Sequence, residues 1–403
     1  MKFKSLLIIF VLLISGCSQI GNTNKKAIEQ SKPSSNSQVE PKSSAYTKEA
    51  KLIAVGDILM HLALTRSGYN PQTKTYNFDN FFKEVKPIIS TGDWAIANLE
   101  VPVAGPEFGY SEFPIFNAPA EIVDAAKKAG FNVLTNANNH ALDKGEKGII
   151  NTIKNIQKRG IPSTGTATSP QSASKILFVR KNDISMAIMA YTYGTNGIPI
   201  PKGKNYLISL LDEKKIVKDI ARARKEGADV VTLCLHFGNE YQRQPTLAQK
   251  QLVKRLVEAG ADIILGSHPH VVQPYQIFNL RRKDGKPRTA VAIYSMGNFI
   301  AYQVGNYKDL GVIFSVNIRK RFPEKTIEIS NVEAMTTWTQ NYRLNNKLNF
   351  RVVPIAAVVK TKKDPLIPTT YYPVLQKQLV QMNNHLKSLG TQNIATAKAV
   401  KAF

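Results

Sequence analysis

Cysteine and acidic side chains are scarce in this sequence. Its 403 residues include 2 cysteines, Cys17 and Cys234, so at most one disulfide can form within the chain, and none if Cys17 is modified. Acids number 29 against 54 lysines and arginines, a net charge of +25 that favours contact with polyanions. Hydrophobic residues make up 43% of the chain, enough to bury a core, which excludes a disordered linker.

The first apolar run is too short to span a bilayer. Lys2 and Lys4 precede uninterrupted apolar residues at 6–14, which is typical of an export signal. Export makes nucleic acid an unsuitable partner for the positive charge. The run ends in Ile14-Ser15-Gly16-Cys17, which resembles the lipobox of bacterial lipoproteins. The resemblance implies cleavage before Cys17, lipid on its thiol and anchoring on the outer face of the bacterial cytoplasmic membrane. The alternative is an ordinary signal with an incidental cysteine.

Four segments follow from composition and periodicity. We predict a signal peptide at 1–16, a lipidated Cys17 with a flexible polar linker at 17–48, a folded domain at 49–340 and a basic extension at 341–403. The extension carries ten lysines and arginines against the single acid Asp364. Such a segment is either a solvated surface or an interaction element.

Strands and helices alternate in the folded domain, which predicts an α/β fold with a largely parallel sheet. The expected strands are 51–55, 94–98, 133–135, 230–235 and 263–265, with a strand pair at 176–179 and 185–191. The expected helices are 80–89, 120–129, 145–158, 213–226 and 247–259. Later strands at 290–294, 311–318 and 326–334 are expected to be antiparallel and to belong to a second sheet. Cys234 lies inside an apolar strand, which favours buried packing over a reactive role.

Five of the six histidines fall where predicted strands end. They are His61, His140, His236, His268 and His270. Because ligands of open α/β sheets bind outside the carboxyl ends of the strands, we expect these loops to converge. Asp57, Glu100 and Asn139 lie at the same strand ends. Carboxylate, amide oxygen and imidazole together bind Mn, Fe or Zn, so the pattern predicts a two-metal centre.

Six ordered motifs across residues 51–335 resemble the CapA family of poly-γ-glutamate capsule synthesis proteins. The motifs are Val55-Gly56-Asp57, Asn98-Leu99-Glu100, the run 137–143 that contains Asn139-His140, His236-Phe237-Gly238-Asn239-Glu240-Tyr241, Gly266-Ser267-His268-Pro269-His270 and Tyr294-Ser295-Met296-Gly297-Asn298-Phe299. The family is similar to calcineurin-like metallophosphoesterases. This implies a two-sheet sandwich flanked by helices (αββα), with a dinuclear metal site at the strand ends.

The resemblance also implies roles for individual residues. Glu100 is the bridging carboxylate, and His140 is the catalytic histidine that faces the scissile group. His61 and Asn298 are either ligands or side chains that support the ligands. The implied cofactor is two divalent ions, with Mn first and Fe or Zn as alternatives. The implied metal ligands are Asp57, Glu100, Asn139, His236, His268 and His270.

The resemblance implies a lipid-anchored envelope protein of capsule biosynthesis. We expect a metal-dependent hydrolase of a phosphoester, or of amide bonds in an anionic polymer such as poly-γ-glutamate. Partners are the membrane, the polymer and membrane proteins of the capsule synthase. One alternative is a non-catalytic, metal-dependent binding or assembly component for such a polymer, and another is a fold used only as a scaffold. Glu240 and Tyr241 either contact substrate or hold the loop after His236.

Overall fold

The computed structural model of the protein describes residues 45–281 and 285–394. The predicted signal peptide, Cys17 and all but the last residues of the predicted linker 17–48 lie outside the described residues. Within the described part, no helix is both long enough and apolar enough to cross a bilayer.

Most strands belong to two large sheets. The strands are β1 Tyr46–Ile58, β2 Tyr69–Asn70, β3 Thr75–Tyr76, β4 Trp94–Leu99, β5 Val133–Thr135, β6 Ser163–Thr164, β7 Leu177–Lys181, β8 Ile184–Thr192, β9 Val230–His236, β10 Ile263–Ser267, β11 Val272–Arg281, β12 Pro287–Met296, β13 Asn298–Ile300, β14 Leu310–Phe322, β15 Thr326–Leu344, β16 Lys347–Pro354 and β17 Thr391–Asn393. The first sheet has the order β16-β15-β14-β1-β4-β5-β6, with β13 also paired to β1. The second has the order β17-β11-β12-β10-β9-β8-β7.

The α-helices are α1 Leu62–Gly68, α2 Lys86–Ile89, α3 Glu121–Ala129, α4 Gly145–Lys158, α5 Pro170–Ala173, α6 Glu213–Lys225, α7 Leu247–Ala259, α8 Ile355–Thr361 and α9 Tyr372–Leu386. The helices α2 and α3 pack on the outer face of the first sheet and α6 and α7 on that of the second, whereas the buried residues of α8 and α9 join the core between the sheets. Short 3-10 helices lie at Asp79–Phe82, Pro106–Phe108, Asn205–Leu207 and Thr369–Tyr371.

Alternation along the strands builds the layers. In β1, Leu52 and Ala54 face the core between the sheets, where they join Ile263 and Ile293 of the second sheet. The intervening residues of β1 pack with α3 instead, and β9 alternates in the same way between this core and the helices α6 and α7. Successive strand side chains point to opposite faces, so a strand buried on both faces is apolar throughout. The predicted αββα sandwich is confirmed.

The later strands are divided between the sheets, contrary to the prediction. β14 and β15 pair antiparallel next to β1 and extend the first sheet. β12 belongs to the second sheet, where it is parallel to β10 and antiparallel to β11. Periodicity identifies a strand but not its neighbours, which is why the sheet assignment of β14 and β15 was wrong.

The helix predicted at 80–89 is also wrong. This segment forms the 3-10 helix Asp79–Phe82 and then the short helix α2, which begins at Lys86. Pro87 is the cause, because proline lacks the amide hydrogen that an uninterrupted helix needs and is tolerated only in a first turn.

The domain boundary expected at residue 340 falls inside β15, which ends at Leu344 and pairs with β16. Arg351 of β16 is buried, and its guanidinium donates to Gln340 and Asp364 at 2.7 Å each. His385 of α9 lies 2.9 Å, through Nε2, from the carbonyl oxygen of Val272. Residues 341–394 therefore pack as part of the sandwich, and residues 395–403 lie outside the described part.

Candidate metal centre

The carboxyl ends of five strands supply the polar side chains of one buried cluster. Asp57 lies near the end of β1, Glu100 directly after β4, and His236 at the end of β9. The turn after β5 carries Asn139 and His140, and the turn after β10 carries His268 and His270. The parallel central strands of each sheet end on this side of the sandwich, so residues far apart in sequence meet here.

Contacts within the first sheet and between the two sheets hold this cluster together. The amide of His268 donates to Asp57 Oδ2 at 3.4 Å. His236 Nε2 lies 2.7 Å from Asn139 Oδ1. Asp57 stands beside Asn298 in the parallel pairing of β1 with β13. A Cβ at Gly56 would lie 1.8 Å from the carbonyl oxygen of Gly297, so only glycine permits this approach.

The described residues contain three groups of three side chains that could bind a metal. Within each group, the possible ligand atoms all lie within 4.8 Å of one another. The groups are Asp57 with Glu100 and His270, Glu100 with His236 and His268, and Glu240 with His268 and His270. Glu100 is common to the first two groups. This is the arrangement that a bridging carboxylate between two ions requires.

Buried polar atoms without partners test whether a metal fits. Glu100 is fully buried, and neither carboxylate oxygen has a hydrogen-bond partner, although His236 Nε2 lies 3.2 Å from Oε1. Nδ1 of the buried His268 is also unpartnered. Such groups are rare because each costs free energy unless an ion, a water molecule or a ligand satisfies it. The donor set therefore fits divalent cations.

The protonation states also suit metal ligands. Burial lowers the pKa of His268 to about 2, and burial holds the pKa values of His236 and His270 well below the usual range. These imidazoles are neutral at neutral pH, as metal ligands must be. Burial raises the pKa of Asp57, and the neighbouring Glu100 raises it further. Burial raises the pKa of Glu100 to about 8. Cations nearby would favour the ionised form of both carboxyls.

Neighbouring residues orient the imidazoles. Asn298 Oδ1 lies 3.0 Å from His270 Nδ1, while its amide nitrogen donates to the carbonyl of Lys308 at 2.7 Å. The structure thus places Asn298 as a hydrogen-bond partner of His270. Ser267 Oγ lies 3.1 Å from His236 Nδ1. Such partners fix the ring orientation and tautomer of a ligand histidine.

The backbone at the paired histidines is held in an uncommon conformation. His268 has φ of 99° and His270 has φ of 56°. Non-glycine residues in this region cost on the order of 1–3 kcal/mol each and persist only where the surroundings enforce them. Pro269 between them fixes its own φ, whereas the positive φ of His268 runs against the extended conformation that a residue before proline prefers.

His61 stands apart from the cluster. Its Nδ1 lies 3.2 Å from the carbonyl oxygen of Leu59 and accepts from the amide of Tyr302 at 3.2 Å. Its ring meets the edge of Phe116 with centroids 5.6 Å apart. None of the ligand groups formed by described residues includes His61. The structure places it on the wall of a cleft rather than with the other strand-end ligands.

His140 is held by an acid that the sequence interpretation missed. His140 Nδ1 lies 2.8 Å from Asp143 Oδ2, and the amide of Phe116 donates to the same oxygen at 2.7 Å. Burial alone lowers the pKa of His140, but the hydrogen bond to Asp143 and nearby acids outweigh burial and raise the pKa. The sequence did contain an indication of this role, because Asp143 follows His140 by three residues in the same turn after β5, within the motif 137–143.

Two asparagines also support the site, through contacts that the sequence did not predict. Asn98 donates to Asp57 Oδ1 at 2.7 Å and accepts from the hydroxyl of Thr135 at 3.1 Å. Asn196 accepts from the amide of Asn139 at 3.1 Å, and its own amide lies 3.4 Å from His140 Nδ1. Asn196 comes from the long loop after β8, and no spacing rule connects that loop to the strand-end motifs.

A cleft of about 670 Å³ opens beside the cluster. It is lined by Leu59, His61, Phe113, Pro114, Ile115, Phe116, His140, Asn196, Ile198, Glu240, Tyr241, His270 and Gln303. Glu240 and Tyr241 are exposed there, and the amide of Tyr241 donates to the carbonyl of Pro269 at 2.7 Å. Tyr241 therefore holds the loop through its backbone and faces the cleft with its side chain.

Buried Cys234 lies within β9, and burial raises its thiol pKa to about 12.

Known proteins resemble this chain over most of its folded part. Residues 51–303 match the family described as bacterial capsule synthesis protein PGA_cap. The chain is 29% identical over 269 residues to "Capsule biosynthesis protein CapA" of Bacillus anthracis, covering 65% of this chain and 62% of that protein. It is 30% identical over 264 residues to "PGA biosynthesis protein CapA" of Bacillus subtilis (strain 168), covering 64% of this chain and 66% of that protein. The matches thus span less than two thirds of these relatives.

A solved structure of calcineurin-like phosphoesterase YfkN from Bacillus subtilis is 13% identical. The alignment covers 85% of this chain and 99% of that chain, with a TM-score of 0.39. A score below 0.5 carries no argument about fold or chemistry, so the interpretation of the cluster depends on its own geometry.

Proposed function

This chain belongs to the bacterial capsule synthesis protein PGA_cap family, and from that premise we propose that it is a lipid-anchored, metal-dependent hydrolase of the bacterial cell envelope. The family predicted from the six motifs is confirmed. The proposed substrate is a phosphoester or an amide bond of an anionic envelope polymer, in the poly-γ-glutamate pathway.

The observation that carries the proposal is the unpartnered carboxylate of Glu100 between two pairs of side chains that can bind a metal. Asp57 and His270 lie on one side of it, and His236 and His268 on the other. Asn139 joins the second set through its contact with His236. We propose that these six residues hold two divalent cations. Mixed oxygen and nitrogen donors suit Mn first, with Fe or Zn as alternatives.

When bound, the two cations would polarise the scissile group and activate water for attack. The chain supplies the rest of the chemistry. Asp143 holds His140 through Nδ1, which leaves Nε2 to donate a proton to the leaving oxygen or nitrogen. The raised pKa of His140 favours the protonated form that this role needs. Phe116 packs against the His140 ring with centroids 4.7 Å apart and limits its rotation.

The positive charge of the chain supports a polyanionic partner. The chain carries a net charge of +25, so an anionic polymer is attracted to its surface before any specific contact forms. The matched relatives carry names in capsule and PGA biosynthesis. We therefore propose that poly-γ-glutamate and the membrane proteins of its synthase are partners, with attraction that weakens as salt rises.

Replacing Cys17 with serine tests the proposed anchor on the outer face of the cytoplasmic membrane. We expect the wild-type chain to sediment with membranes and to gain mass from lipid, and Cys17→Ser to appear mainly in the soluble extracellular fraction. A single acyl chain binds weakly, whereas the multiple chains of a lipoprotein anchor firmly. Cys234→Ser is the matched control and should remain with the membrane. Membrane association that persists unchanged in Cys17→Ser would contradict the anchor.

Metal analysis and a hydrolysis screen of the purified full chain in detergent test the enzymatic proposal. We expect about two equivalents of Mn, Fe or Zn, and hydrolysis of p-nitrophenyl phosphoesters or shortening of poly-γ-glutamate that stops with a chelator and returns with Mn²⁺. Two bound metals without hydrolysis of any of these substrates would favour the metal-dependent binding component instead. Absence of metal binding would overturn both.

A further inference from the structure

Exposed apolar side chains are concentrated around the cleft. Phe113, Ile115, Tyr193, Tyr241 and Tyr302 are each between 40% and 75% exposed, and we call them the apolar rim. Phe113, Ile115 and Tyr241 line the cleft directly. Contiguous exposed apolar surface of this kind marks a binding site more often than a random patch of surface does.

The remaining two members reach the cleft through its lining. The hydroxyl of Tyr193 donates to Asn196 at 3.2 Å, and its ring packs on His268 with centroids 4.5 Å apart. The amide of Tyr302 donates to His61. Tyr193 and Tyr302 therefore adjoin the lining of the cleft, and Tyr193 also contacts His268 of the candidate metal centre.

The cleft lacks cationic side chains in a chain that is rich in them. No lysine or arginine occurs among the described residues that line it, whereas Glu240 contributes a carboxylate. Lys308 stands at the edge, and its ammonium lies over the ring of Tyr241 at 5.3 Å. Charge-assisted hydrogen bonds from lysine or arginine are among the strongest contacts that a pocket can offer a carboxylate. These walls instead present aromatic rings, the acid Glu240 and the neutral side-chain amides of Asn196 and Gln303.

We propose that the cleft accepts a phosphoester whose second substituent is uncharged and apolar, and that the apolar rim binds this substituent. The inference depends on the proposed hydrolase function and chooses between its two substrate classes. An amide bond within poly-γ-glutamate has a carboxylate on the residues on both sides of it. Those carboxylates would face the apolar rim and Glu240, with no lysine or arginine lining the cleft to receive them.

Size and chemistry agree with this choice. A volume of about 670 Å³ lies within the range of sites that bury a small organic molecule. In the reaction, the oxygen of water forms a new bond to phosphorus, and the bond from phosphorus to the leaving oxygen breaks. His140 gives its proton to that oxygen, and the proton of water passes to solvent. The apolar substituent stays on phosphorus and on the rim.

Three p-nitrophenyl phosphodiesters that share the same leaving group and differ only in the second substituent measure the contribution of the apolar rim. Their second substituents are phenyl, methyl and 4-carboxyphenyl, and the protein is the full chain loaded with Mn²⁺. We expect kcat/KM for the phenyl ester to exceed that for each of the other two by about tenfold, from the apolar area buried. A 4-carboxyphenyl ester that is hydrolysed as well as the phenyl ester, or better, overturns the inference.

Variants of the protein test which side chains produce the preference for the phenyl ester. In Phe113→Ala combined with Ile115→Ala, the phenyl preference over methyl should fall to about twofold. Val380→Ala removes a side chain that is equally exposed but lies on α9, away from the cleft, and should leave the preference intact. A preference that survives the double variant would overturn the role of the rim.

Binding measurements separate this inference from the proposed function. If poly-γ-glutamate is shortened but no ester is hydrolysed, the inference is overturned while the proposed hydrolase stands; if neither substrate reacts, the proposed hydrolase fails. Calorimetry on the same protein in Mn²⁺ buffer then compares phenylphosphonate with methylphosphonate. Binding of phenylphosphonate that is about tenfold tighter supports the rim as an apolar subsite, and equal affinity or no binding overturns it.

Discussion

Glu100→Gln is expected to abolish metal-dependent activity and to release the bound metal. The amide retains one oxygen but loses the charge and the second donor that a bridging position needs. Loss of a residue that only supports a ligand costs about 10–100-fold in metal affinity, so loss of the shared ligand should cost more than about a hundredfold. Metal content after dialysis and kcat with saturating Mn²⁺ measure the two effects.

The same substitution should stabilise the metal-free protein. Burial raises the pKa of Glu100 from 4.5 to about 8 in the folded chain. A carboxyl whose folded pKa is raised supports the fold when protonated, and this stability is lost as pH rises from about 4.5 to 8. Glu100→Gln has no such charge, so near pH 9 its metal-free unfolding free energy should exceed that of wild type by about 1–3 kcal/mol.

Denaturant melts of the chelator-treated proteins between pH 5 and 9 measure this stability. Glu333→Gln makes the same chemical change at an exposed position of β15 and should alter neither metal content nor the pH profile. Full metal retention in Glu100→Gln would refute the bridging role and leave the buried carboxylate without an explanation.

His140→Ala is expected to lower kcat by about 10²–10⁴-fold while both metal equivalents remain bound. General acid catalysis contributes on this scale. Metal content should persist because His140 belongs to none of the ligand groups among the described residues. His385→Ala removes a histidine of α9 that contacts Val272 and should keep activity near the wild-type level. Loss of metal together with activity would reassign His140 as a ligand.

Asp143→Asn distinguishes a positioned acid from a merely structural histidine. The hydrogen bond and charge of Asp143 raise the pKa of His140 against the opposing effect of burial. Without them the pKa of His140 falls, so a general acid there loses its proton at lower pH. The alkaline limb of the kcat profile should therefore move to lower pH, with kcat reduced at pH 8. An unshifted profile would mean that His140 does not deliver the proton.

The convergence of the strand-end residues in the candidate metal centre could be predicted from the sequence, because each follows a run of apolar strand residues. Asp57, Glu100 and His236 have that local context, and parallel strands bring their ends together. His61 shows the limit of the rule. It also follows β1, but three residues beyond the strand the chain has turned into α1, and the imidazole faces the cleft wall.

The contacts of the residues that support the site could not be predicted from the sequence, for a different reason. Asn196 and Asn98 act through hydrogen bonds to partners 56 and 41 residues away. A polar side chain in a loop or a strand carries no periodic signal for such a partner. The strand β16 was not recognised because it carries Arg351, a charged residue that the sequence alone places on the surface. In the structure Arg351 is buried, and Gln340 and Asp364 accept hydrogen bonds from its guanidinium.

β1 gives the sandwich a polarity. Its 13 residues run from Tyr46 to Ile58, so Tyr46 and Asp57 stand at opposite poles, roughly 40 Å apart. If the chain is attached at Cys17 as proposed, the linker joins the folded part at the Tyr46 end of β1. The candidate metal centre lies at the other end of the same strand, so the whole length of β1 separates it from the point where the linker joins.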